Sequence, residues 1–267
     1  MTDTVPPATE RRTVRVEKVM GTAVSFDVRG EGDHDAAVAE AIAWFHDVDR
    51  RFSTYRPDSL VSRLGRDAAV LRDPDLAEVV EVCERMRTSS GGAFDARSPS
   101  GFDPSAFVKG WSVDRAGEIL RAHGCERWSV NAGGDVLVAS DGGRPWRIGV
   151  QHPFDRGAFG TVLEADHLAV ATSALTERGE HIRDPRTGRA AVGAVSTTVC
   201  GPELGLADAI ATAAFVLGQD GPAWVAGLDG YECWSVLPDG SVLATAGFPR
   251  LVHGVPVRSA SAPAAFR

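Results

Sequence analysis

The chain has 267 residues, 43% hydrophobic and 24% charged, with a formal net charge of −8 and a pI near 5.4. That composition supports a sizeable globular core, and with no Lys/Arg-rich run it lacks the electrostatic footprint of a nucleic-acid or anionic-membrane binder. No run of 18 apolar residues occurs and the leading MTDTVPPATERR has no apolar signal core, so the expectation is a cytoplasmic protein with no membrane segment.

Residues 1–12 read as a disordered lead. From Val14 to Val28 apolar and polar residues alternate around Met20-Gly21-Thr22, which predicts two strands or one strand bulged at the glycine. Val38, Ile42, Phe45, Val48 and Phe52 then recur at helical steps, and Asp33 stands where a cap belongs. Ser53-Thr54-Tyr55 follows as a loop or one wall of a flat-ligand pocket, ahead of a short turn of helix at Leu60 to Leu64. Asp73-Pro74 opens a second long helix through Met86.

That helix delivers the segment Gly91 to Arg115, GGAFDARSPSGFDPSAFVKGWSVDR. Glycines permit close backbone approach to a ligand, Asp95 and Asp103 offer hard oxygens, and Lys109 offers a point charge suited to phosphate. A turn-rich surface connection, with Asp103 as a helix cap, accounts for the same residues. A third helix follows over Ser112, Ala116, Ile119 and Leu120 to Gly124. Strands are predicted at Trp128 to Val138, Trp146 to Val150, Gly160 to Glu164 and His167 to Ala171. Gly133-Gly134 inside the first marks a bulge, a surface against a flat ligand, or a hairpin turn.

A second chemical cluster spans Thr172 to Gly188, where Thr172, Ser173, His181 and Asp184 fall together; imidazole is the natural proton carrier near neutral pH. Asp184 to Gly188 also fits an Asx-type turn. A strand from Ala191 to Val199 leads to an apolar helix from Leu206 to Leu217, in which Asp208 and Thr212 share one face. Such an Asp either meets solvent near the helix N-terminus or binds something positive, and with Thr212 one turn on, Mg²⁺ is the sharper expectation. A short helix after Pro222, two strands (Tyr231 to Leu237 and Val242 to Ala246) and a loose tail, 255–267, complete the chain. The cysteines, Cys83, Cys125, Cys200 and Cys233, are widely spaced and fit buried reduced thiols.

Taken in order, Met20-Gly21-Thr22, Ser53-Thr54-Tyr55, Gly92-Ala93-Phe94-Asp95, Asp103-x-x-Ala106-x-x-Lys109-Gly110 with Asp114, Gly133-Gly134-Asp135, Thr172-Ser173, HIRDPRTG from His181 and Asp208-Ala-x-x-Thr212 resemble the FAD:protein FMN transferase (ApbE-type) family. The resemblance implies one α+β domain over 13–254, with mixed and antiparallel sheets and packed helices. It also implies Mg²⁺-dependent transfer of the FMN half of FAD to a Thr or Ser hydroxyl of an acceptor protein, releasing AMP. It assigns Met20, Tyr55, Ala93, Phe94, Asp95, Asp103 and Lys109 to the FAD site, Asp208, Thr212 and the Ala106 carbonyl to the metal, and catalysis to His181 with Lys109 assisting at the phosphates. A Mg²⁺-dependent FAD pyrophosphatase and a non-catalytic FAD-binding module are the alternatives. Ala174 departs from the glycine usual after Thr172-Ser173, and Pro104 follows the motif Asp103.

Overall fold

A computed structural model describes residues 11–98, 101–141, 144–175, 182–248 and 257–259. The expected break at Met20-Gly21 is a two-residue hairpin turn between β1 (Arg12–Val19) and β2 (Thr22–Arg29). Met20 and Gly21 both take positive φ, 52° and 70°, the backbone that matches the twist of paired strands. Strand β1 thus starts inside what the sequence suggests is a lead.

Helix α1 (His34–Phe52) is capped by the Asp33 side chain, which accepts from the Ala36 amide, and buries Ala37, Val38, Ala41, Phe45, Val48 and Phe52. At its other end the nearly buried Arg51 pairs with Asp47, Asp73 and Asp75. Those contacts tie α1 to the start of α3 (Pro74–Ser89), past the short α2 (Leu60–Leu64). Two-residue strands β3 (Arg97–Ser98) and β4 (Gly101–Phe102) lead into α4 (Ser105–Ala122).

Strands β5 (Arg127–Ala132) and β6 (Asp135–Ser140) form a hairpin, so Gly133-Gly134 is a turn, with φ of 62° and 103°. After β7 (Trp146–His152) and β8 (Asp155–Ala165) come β9 (Leu168–Ala174), β10 (Ser196–Gly201), α5 (Leu204–Leu217), α6 (Gly221–Val225), β11 (Glu232–Val236), β12 (Val242–Ala244) and β13 (Val257–Ser259). Nine strands make one sheet in the order β1-β2-β5-β6-β9-β10-β11-β12-β13. Its pairings are antiparallel except β12 with β13, which places 257–259 in the sheet where the sequence suggests a loose tail.

Two apolar layers flank this sheet. Phe26, Leu137 and Ala139 belong with the helices in the larger core, which includes Phe45, Leu76, Trp111, Leu204 and Phe215. Val136, Val138, Val170, Trp234 and Val236 face the other way, against Ile148, Val150 and Leu163 of the β7–β8 hairpin. Alternate residues of β6 therefore enter different cores, and all six are buried. The result is an α+β fold of mixed helices and mainly antiparallel sheets. No helix among the described residues is long and apolar enough to cross a membrane.

Candidate active site

Helices α4 and α5 meet closely because both carry glycine at the contact. A Cβ on Gly110 would stand 2.3 Å from the Leu204 carbonyl oxygen, and one on Gly205 would stand 2.9 Å from the Trp111 amide nitrogen. Asp114, on α4, accepts hydrogen bonds from the amides of Leu204 and Gly205, each 2.8 Å long. It satisfies two donors that the first turn of α5 leaves unpaired. Burial pushes the Asp114 carboxyl up to about 6 despite those two amides.

This contact brings the chemistry of three elements together. Lys109 of α4 has Nζ 2.5 Å from Asp135 Oδ2, at the start of β6, and 3.6 Å from Asp208 Oδ2 of α5. The two carboxylate side chains are 2% and 7% exposed, against 29% for Lys109. Asp135 is held from behind by the Thr172 amide, which donates to its Oδ1 at 3.0 Å. Thr212 lies one turn beyond Asp208, and its hydroxyl is 3.3 Å from that of Ser173. Thr172 in turn bonds Thr198 on the neighbouring strand at 2.9 Å. Desolvation offsets most of the attraction in a buried ion cluster, so stability alone does not account for it.

Met20 reaches this neighbourhood from the β1–β2 turn. Its Sδ is 4.0 Å from Ser112 Oγ, which also donates to the Lys109 carbonyl at 2.7 Å. The two hairpin turns touch as well: a Cβ on Gly133 would fall 2.5 Å from Thr22 Oγ1. Ala106 sits in the first turn of α4, three residues before Lys109 and partly buried against the core.

Other expected site residues are placed differently. Ala93 and Phe94 are buried in the main core, so what this segment can offer a ligand is backbone. Asp95 accepts from the Arg97 amide, and Asp103 from the Ser105 amide that opens α4, a turn contact beside the N-cap residue Pro104 and not the side-chain cap the sequence also permits. Tyr55 is 96% exposed. His181 lies outside the described residues. Just beyond it, Asp184 to Gly188 form a turn in which Asp184 accepts from the Arg186 amide and guanidinium. The Arg186 side chain holds the Asp184 carboxyl below its usual range. The same side chain lies over Gly92, where a Cβ would be 3.4 Å from Arg186 Cγ, joining this turn to the Gly91-Gly92 segment.

Two surface clefts, of about 240 and 230 Å³, flank this arrangement without Lys109, Asp135 or Asp208 in their walls. The first is lined by Trp111, Asp114 and Glu203, the second by Cys83, Asp95 and Phe102. Sequence reasoning gave Asp135 no role, although an acid directly after Gly133-Gly134, opening an apolar strand, was the available signal.

As a metal site the cluster offers hard oxygen donors on one face of α5, the Asp208 carboxylate and the Thr212 hydroxyl. Among the described residues no group of three His, Cys, Asp or Glu side chains gathers as a metal centre. Mg²⁺ takes few protein carboxylates and keeps waters or substrate oxygens, so a single buried aspartate with a neighbouring hydroxyl fits it.

Comparison with known proteins agrees with this architecture. The ApbE family model matches residues 20–100 and 96–234. The FAD:protein FMN transferase of Rhodobacter capsulatus is 33% identical over 228 residues, which is 81% of this chain and 41% of that protein. The one from Treponema pallidum is 30% identical over 215 residues, 69% of this chain and 59% of that protein. This chain thus spans roughly half the length of those relatives. Flavin transferase ApbE from Vibrio cholerae superposes with a TM-score of 0.78 at 22% identity, covering 90% of this chain and 99% of that one. The apo flavinyl transferase ApbE of Pseudomonas stutzeri gives 0.75 at 22% identity, over 90% and 96%. At that identity the two structures establish the fold, and with the family model matched from residue 20 to residue 234 this chain is a member of the ApbE family.

Proposed function

We propose that the chain transfers the FMN half of FAD to a Thr or Ser hydroxyl of an acceptor protein, forming a phosphodiester and releasing AMP, with Mg²⁺ as cofactor. The observation that carries this reading is the buried Lys109–Asp135–Asp208 cluster beside Thr212. The names of the relatives give it its substrates.

In the reaction, the acceptor oxygen attacks the phosphorus of the FMN half, the bond from that phosphorus to the bridging oxygen breaks, and AMP leaves with that oxygen. Asp208, Thr212 and the Ala106 carbonyl would hold Mg²⁺, which when bound neutralises charge on the pyrophosphate oxygens. Lys109, partly exposed between buried carboxylates, offers its ammonium to a phosphate oxygen entering from solvent. The backbone of Gly92 to Asp95 and the side chains of Met20 and Tyr55 bind and orient FAD, and Asp103 fixes the start of the helix that carries Lys109. Holding the reactants in line supplies much of the acceleration in phosphoryl transfer. His181 takes the acceptor proton, a role worth about 10²- to 10⁴-fold for a true general base.

The test is incubation with FAD and Mg²⁺, with and without a domain bearing an acceptor Thr, following acceptor mass and AMP. The expected result is a Mg²⁺-dependent mass gain of one FMN with one AMP released. AMP and free FMN without labelling would assign a pyrophosphatase instead, and FAD bound but unchanged would refute the enzyme. Unchanged turnover in His181→Ala would remove the histidine from the mechanism.

A further inference from the structure

Lys109 stands between two acids that the fold withdraws from water. Its ammonium is 2.5 Å from Asp135 and 3.6 Å from Asp208. The nearer acid is held at its other oxygen by the Thr172 amide, 3.0 Å away. Asp208 projects from a different element, with Thr212 one turn away on the same helix. Two carboxylates withdrawn from water and sharing one ammonium are a setting that favours the binding of a cation.

We infer that Lys109 is the resident counter-ion of Asp208, that a divalent cation binds by taking Asp208 from it, and that Asp135 is the positioning residue that keeps the ammonium in place when this happens. The inference rests on the assignment of Asp208 to Mg²⁺ made under the proposed function. Magnesium bonds oxygen at about 2.1 Å, and at such range a metal ion and an ammonium repel strongly if both address the same carboxylate oxygen. No proton changes hands. Lys109 stays charged, gives up the longer contact and retains the shorter one.

This makes metal affinity a competition that the protein itself sets. A pyrophosphate approaching Lys109 draws the ammonium away from Asp208 and so raises metal affinity, which couples the binding of substrate and metal in both directions. Without Asp135, the ammonium would settle on Asp208 and oppose the metal fully.

The experiment is a titration of Mn²⁺, read by calorimetry and by the loss of the free-ion electron paramagnetic resonance signal, with no FAD or acceptor present. Wild type is compared with Asp135→Asn, the double variant Lys109→Met/Asp135→Asn, and Asp208→Asn as the control that removes the site. If Lys109 holds Asp208 for about nine-tenths of the time, freeing it tightens binding about tenfold. The double variant is therefore expected to bind Mn²⁺ about tenfold more tightly than wild type, and Asp135→Asn about tenfold more weakly. The double variant carries the test, because it removes one positive and one negative charge and so leaves the net charge of the cluster as in wild type; Asp208 stays buried after losing the ammonium, and circular dichroism and melting confirm that the variant folds.

Equal affinity in wild type and the double variant would overturn the inference, since only net charge would then matter. So would a failure of both to bind Mn²⁺. Flavin transfer by wild type is scored separately. The Mn²⁺ pattern without acceptor labelling would sink the transferase and leave the counter-ion, and labelling with an unchanged double variant would do the reverse.

Discussion

Replacing Gly110 by alanine tests the contact on which the site is built. The new Cβ would lie 2.3 Å from the Leu204 oxygen, 2.5 Å from its carbonyl carbon and 2.7 Å from the Gly205 nitrogen. Ordinary contact begins near 3.4 Å, so α4 and α5 must part by about 1 Å, and a rigid methyl against backbone cannot turn aside. The opposing term is helix propensity, worth about 1 kcal/mol in favour of alanine. Overpacking costs about 1–3 kcal/mol. Stretching the two 2.8 Å bonds to Asp114 adds up to about 1.5–3 kcal/mol for a charged acceptor. Net destabilisation is about 1.5–5 kcal/mol, which at this chain length lowers Tm by about 3 to 20 °C. Because Lys109 and Asp208 ride on the two helices, Mn²⁺ affinity should change as well. Gly65→Ala is the control, having negative φ and nothing within 4 Å of the new Cβ. A Gly110→Ala variant melting at or above wild type in thermal circular dichroism would refute the reasoning.

Two further outcomes follow from the same geometry. Asp114 has its carboxyl pushed to about 6 against about 3.9 in an unfolded chain, so between those values the folded state binds more protons. Its contribution is fully present below the unfolded value and lost as pH rises through 6, a swing of about 3 kcal/mol. Urea titrations from pH 4 to 7.5 should show that component in wild type and not in Asp114→Asn; identical pH profiles would exclude it. Burial pushes the thiols of Cys83, Cys200 and Cys233 up to about 12, so the reactive thiolate is scarce near neutral pH. A disulfide reagent at pH 8 should label them only after denaturant is added, and rapid labelling of the native protein would contradict their placement.

Local signals announced most of the elements. Asp33 and Asp73-Pro74 open helices where their side chains can cap, and Met20-Gly21 turns a hairpin. Helix α4 begins at Ser105, well before the apolar spacing that starts at Ser112, because Asp103 and Pro104 initiate it ahead of any periodic residue. Lys109 and Gly110 are consequently inside the helix and not at its approach. Strand β10 begins at Ser196, later than the apolar run from Ala191. The alternation in β7 and β8 predicts strands but not their departure from the main sheet, since a strand with one buried face does not specify which sheet buries it. Asp208 and Thr212 were legible as a pair one helical turn apart. Asp135 was not legible as their partner, because its tie to Lys109 exists only once α4, β6 and α5 have packed. Tyr55, which reads in sequence as part of a loop or as one wall of a flat-ligand pocket, stands 96% exposed in the fold.

Helix α5 carries a consequence for handling the protein. Its sequence, LGLADAIATAAFVL, has Asp208 as its only charge, and none of its 14 residues is exposed in the fold. While the chain is being synthesised or refolded, that segment meets water before its partners arrive, and segments of this kind drive self-association. Asp208 is then the gatekeeper that keeps an otherwise apolar stretch dispersed. Replacing it with alanine removes a ligand and a solubility device together. Asn, which keeps the shape and much of the polarity, is the substitution that isolates the chemistry, and yields of Asp208→Ala from inclusion bodies should fall below those of Asp208→Asn.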